Sequence, residues 1–185
     1  MMGFLCLALA AGILVGFSTE QPDSSGVQHG LGADSGSRGN EKDDPFYWIK
    51  KSEQQLGQAI VGLKGDKTGR VLELLQRSTK IVERVLQHKD RTKLLTGVRK
   101  ALRPECRAAS ILLKLQRSNV DVPNYESVFN SLSTAIYFLA KSIEDENEEV
   151  AGHIQLFEMG LFGTRSAEDF LSNARELCSA TVRNL

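Results

Sequence analysis

Val71, Leu74, Leu75, Ile81, Val82, Val85 and Leu86 recur at spacings of three and four, with Ser78 in the same register. A segment with that period folds as an amphipathic helix with one buried stripe. The period returns at Val128, Phe129, Leu132, Ala135, Ile136, Leu139 and Ile143. Pro123 precedes it and suits a first helical turn, where the missing amide proton is not needed. Weaker stripes fill the remainder. Phe46, Ile49, Leu56, Ile60 and Leu63 form one, closed by a glycine-bearing turn from Lys64 to Gly69. Leu94, Leu95, Val98 and Leu102 form another; Pro104 then removes an amide donor and predicts a break or kink, after which Cys106, Ala109, Leu112, Leu113 and Leu115 resume it. Val150, Ile154, Phe157 and Leu161 follow, stopped by Gly160 and Gly163. Ser166 with Asp169 three residues on is an acidic variant of the capping box, and it opens Phe170, Leu171, Ala174, Leu177 and Cys178. The sequence contains no alternating pattern of useful length and no internal repeat. The expectation is an all-α fold, a single helical bundle of about five or six helices over residues 45–185, the size of one ordinary domain.

Ahead of the bundle stand two segments of opposite character. Residues 1–18 hold an uncharged, mostly apolar run from Met1 to Phe17, too short to span a bilayer as a helix. That length fits a signal peptide, cut after Ser18 or, as second choice, after Gly16, although no basic residue precedes the apolar run. Residues 19–44 turn abruptly to Ser, Gly, Asp, Gln and Asn without periodicity, which predicts a flexible, disordered polar arm. His29 lies in that arm with no second ligand at metal-binding spacing. The expected address is therefore secreted and extracellular, with no transmembrane span in the mature chain. Beyond the leader only Cys106 and Cys178 remain. In an oxidising compartment they pair as a disulfide, closing a loop of about 70 residues and stabilising the fold by about 4 kcal/mol on the chain-entropy model.

Charge sums to zero over the whole chain but is unevenly placed. From Phe46 to Arg103 there are fourteen Lys and Arg against five Asp and Glu, while Pro104 to Leu185 has seven against twelve. Arg70, Arg77, Lys80, Arg84, Lys89, Arg91, Lys93, Arg99, Lys100 and Arg103 either occupy solvated helix sides and pair with the acidic run Glu144, Asp145, Glu146, Glu148 and Glu149, or form a cationic face for an acidic protein, a sulfated glycan or lipid headgroups. On the second reading Arg77, Lys80, Arg84, Arg99 and Lys100 are the interaction candidates. Phe46, Tyr47 and Trp48 are apolar candidates, because three adjacent aromatic residues cannot all face one core; their alternative role is a hydrophobic staple that fixes the start of the first helix. Tyr137, Phe138, Leu139 and Ala140 widen an apolar face, which requires either a helix buried on two sides or an exposed patch.

Catalytic signatures are missing from the sequence. There is no GxSxG elbow, HExxH pair, CxxC or phosphate-binding loop, and His88 and His153 sit alone. The expectation is a non-enzymatic protein without metal or cofactor. Nucleic acid is a poor partner for a neutral, exported chain that lacks a zinc knuckle, helix-turn-helix or aromatic platform. The sequence thus favours a secreted helical protein that binds a macromolecular partner, an unidentified protein or an acidic glycan surface. The alternative is a carrier of a lipid-like ligand in a cavity lined by Phe129, Ile136, Tyr137, Phe138, Phe157, Phe162 and Phe170.

Overall fold

A computed structural model describes residues 44–63, 66–161 and 166–185. The expected leader at 1–18 and the arm through residue 43 lie outside the described residues, as do Phe162 and Gly163. The described residues form six helices: α1 (Pro45–Gly62), α2 (Gly69–His88), α3 (Leu94–Arg117), α4 (Tyr125–Lys141), α5 (Glu148–Leu161) and α6 (Ala167–Asn184). No strand occurs among them, and the architecture is the all-α bundle that the period implies.

Side chains cap the starts of α1, α5 and α6, and left-handed backbone shapes two other helix ends, whereas α2 and α3 begin without a side-chain cap. Asp44 accepts the Phe46 N–H at 3.2 Å, and Pro45 occupies the first turn of α1. Asp44 therefore belongs to the bundle as its first cap. The Ser166 hydroxyl accepts the Asp169 N–H at 3.1 Å, as the capping-box spacing predicts. Lys89, which ends α2, and Asn124, which precedes α4, both adopt left-handed backbone, with φ of 45° and 54°. Pro123 consequently stays outside α4.

Of the break or kink expected at Pro104, the break does not occur. α3 runs unbroken from Leu94 to Arg117 with Pro104 buried inside it. A proline in a helix interior costs about 3 kcal/mol. Here Ala101, Leu102, Ala108, Ala109 and Leu112 are all buried on either side of it, and burial of that length of helix against α2 and α6 outweighs the lost bond.

α4 is the central helix. It packs most extensively on α1 and α6, and also meets α3 and α5. Val128, Phe129, Leu132, Ser133, Ala135, Ile136, Leu139 and Ala140 are buried around most of its circumference, which explains the wide apolar face. The Ser52 hydroxyl of α1 donates to the Ala135 carbonyl at 3.0 Å, so even the polar member of the α1 stripe is satisfied within this contact. Cys106 and Cys178 form a disulfide between α3 and α6, with their Cα atoms 5.8 Å apart.

Gly97 lets α2 and α3 approach closely. A Cβ at this position would lie 2.6 Å from Val85 Cγ2, and a β-branched side chain in a helix has no second easy rotamer. Gly97→Ala should therefore destabilise the domain by about 1 kcal/mol, even though Ala favours helix over Gly by a similar amount. Urea unfolding checks this; a variant as stable as the parent contradicts the steric account.

Candidate functional site

The antiparallel α2–α3 pair brings two cationic rows together. Arg77, Lys80 and Arg84 recur at three and four along α2, and Lys100, Arg103 and Arg107 do the same along α3. All six are exposed, and they line one groove of about 750 Å³ floored by Leu74, Ile81 and Pro104. Among the described residues Glu73 is its only acidic lining residue, and the Arg70 guanidinium donates to it at 2.6 Å. None of the six makes an ion pair with a carboxylate among the described residues.

The acidic run does not neutralise them. Glu144 instead pairs with Lys141 of α4 at 2.5 Å, and with Asp145 and Glu146 it lines a separate recess beside Pro45, Trp48 and Arg91, the last being the member of the basic half that shares this recess. Of the two readings of the basic residues, pairing with this run does not hold for the groove: the run sits at the α4–α5 connection and makes no ion pair with any of the six groove cations among the described residues. Like charges held along a groove with apolar walls focus their field outward.

Four of the five cationic candidates line the groove. The fifth, Arg99, does not; it is half-buried, and its Nε has no hydrogen-bond partner among the described residues. Arg103 and Arg107 complete the α3 row. Arg107 was legible in principle, since it stands two turns beyond Lys100, but it falls past the proline where the helix was expected to break.

The aromatic candidates serve packing. Phe46 is buried in the core, while Tyr47 and Trp48 are half-buried. Trp48 lies 5.5 Å from Phe138 between ring centroids, and Tyr47 meets the Trp48 ring edge-on at 5.1 Å. Tyr137, Phe157 and Phe170 continue in stacked contacts of 5.5 and 5.7 Å, so these rings cover one another, and Phe129 and Ile136 are fully buried in the core. The Tyr137 hydroxyl donates to Glu158 at 2.6 Å, and burial together with this acceptor raises its ionisation above the ordinary phenol range.

Beneath the groove lies a buried carboxyl. Glu105, next to Pro104, is fully buried and its Oε1 sits 2.5 Å from the Ser78 hydroxyl, which also contacts the Ala101 carbonyl at 3.0 Å. Burial pushes the Glu105 carboxyl up to about 8 against the opposing pull of Ser78. At neutral pH it is therefore largely protonated. As the neutral acid it can donate its O–H to the Ser78 hydroxyl oxygen, which leaves the Ser78 O–H to donate to the Ala101 carbonyl, while Oε2 has no partner among the described residues.

A second cleft, of about 890 Å³, opens between α3, α5 and α6. Phe157, Leu177 and Ala180 form its buried floor, and Leu156, His153, Arg175 and Arg183 stand around it. The two clefts share Arg103 and Arg107. Neither holds a cluster of His, Cys, Asp and Glu able to bind a metal ion among the described residues.

The fold defines a six-helix, disulfide-linked domain with a cationic groove on its α2–α3 face. Comparison with protein-family models, with curated proteins and with solved structures finds no match for the chain.

Proposed function

We propose that this is a secreted, non-enzymatic protein that acts by binding an acidic macromolecular partner in the α2–α3 groove. One observation carries the reading: six exposed cations line a single groove and make no ion pair among the described residues. Holding them together opposes folding by mutual repulsion, and an anion bound to the folded state relieves that cost. Secretion is supported by the apolar leader and by the Cys106–Cys178 disulfide, since such bonds persist in oxidising compartments. No helix of the described residues is long and apolar enough to cross a membrane.

The test uses sulfated dextran as a generic polyanion. The full chain should bind it with an affinity that falls steeply with salt, because bound cations displace condensed counterions. Arg77→Glu combined with Lys100→Glu should weaken binding at least tenfold. Lys50→Glu, an exposed change on α1, should change it less than twofold. Equal losses from both variants would locate the interaction outside the groove, and salt-independent binding would contradict its electrostatic basis. Mass spectrometry of protein harvested from a eukaryotic secretion host tests the address: the mature chain should begin after Ser18 or Gly16.

A further inference from the structure

We infer that the partner presents a polypeptide segment, a short acidic stretch next to a large apolar side chain. The carboxylates occupy the α2–α3 groove and the apolar group fills the neighbouring α3–α5–α6 cleft. This deepens the proposal above and rests on it. Three observations select the occupant.

First, the clefts are joined. Arg103 and Arg107 belong to the lining of both, so a ligand in one lies within a residue or two of the other. Second, they differ in their floors. Six cations line the first; the second also carries Arg103, Arg107, Arg175 and Arg183 on its walls, but buried Phe157 and Leu177 floor it and Leu156 stands at its edge. Leu156 is 64 % exposed, an open apolar contact beside an arginine rim. Third, the groove has a definite length. Arg77 and Arg84 are two helical turns apart, about 10 Å along the axis, and an extended chain covers that in about three residues.

A sulfated glycan would satisfy the cations of both clefts and leave the apolar floor of the second, with exposed Leu156, to water. A fatty ligand would fill the cleft and leave Arg77, Lys80 and Arg84 uncompensated. An acidic peptide with one apolar anchor satisfies both, and central apolar anchors within a charged rim are where interface affinity concentrates.

The experiment measures fluorescence anisotropy of labelled synthetic peptides with the full chain at low salt. The probes are tetraglutamate, tetraglutamate carrying Leu-Phe at either end, and tetraserine carrying Leu-Phe. Burial of one large apolar side chain predicts that the better Leu-Phe tetraglutamate binds at least ten times more tightly than tetraglutamate alone. The tetraserine peptide should bind at least ten times more weakly than that peptide. Leu156→Ser, an exposed change that leaves the core intact, should abolish the gain from Leu-Phe and leave tetraglutamate binding unchanged. If Leu-Phe adds nothing while tetraglutamate or sulfated dextran still binds, the groove takes acidic groups alone and this inference fails while the function stands. If none of the peptides nor the dextran binds, both fall.

Discussion

Glu105→Gln should remove most of the dependence of folding stability on pH between 4.5 and 8. In the unfolded chain this carboxyl ionises near 4.5, whereas in the fold burial holds its proton up to about 8. Below 4.5 both states are neutral, so the site contributes no pH dependence. Above 4.5 the unfolded chain releases the proton and the native state keeps it. The native state then binds more protons, so stability falls as pH rises until the folded carboxyl also ionises near 8. The loss across that window is on the order of 4 kcal/mol, a large share of what a domain this size has in total. Gln keeps the shape and can donate to Ser78, but it does not titrate. Urea unfolding at pH 5 and pH 8 reads the difference directly: the parent should lose several kcal/mol and the variant little. Parallel losses in the two proteins would show that Glu105 ionises normally and that the slope has another source.

Removal of the Cys106–Cys178 bond should lower stability by about 3 kcal/mol and the melting temperature by about 10 °C. The bond closes a sequence separation of 72 residues, so its loss returns considerable freedom to the unfolded chain. It also joins α3 to α6, which pack against each other and both touch the central helix. Reduction with dithiothreitol and the double variant Cys106→Ala, Cys178→Ala should agree, because Cys178 is buried where Ala fits without a polar mismatch. If reduction leaves the melting temperature unchanged, the constraint adds nothing that packing does not already provide.

The sequence carried most of the fold because the buried stripes of α2 and α4 are long and strongly periodic and the weaker ones share their period. Ser52 and Ser78 illustrate what the pattern cannot supply. Both occupy core positions, and only the structure shows that Ala135 and Ala101 accept their protons. Glu105 was invisible for the same reason: a carboxylate one turn from Ala101 reads as a surface residue unless the rotation of α3 is known. Pro104 misled more directly, because local chemistry argued for a break and tertiary burial overruled it. That error hid Arg107, since an interrupted helix would not carry the Lys100–Arg103 row onward. The groove itself required the register of two helices, which no single-helix period encodes.

The covalent ring has one more consequence. The segment it encloses runs from Arg107 to Leu177 and contains α4 and α5 entire. Five of the six groove cations precede Cys106 in the chain. A protease that cuts once between Asp121 and Glu149 would therefore leave two fragments still tied together, with the cationic rows on one fragment and Leu156 bonded to them through sulfur. Such a nicked molecule keeps its parts at intramolecular concentration, so damage to the backbone there need not mean dispersal.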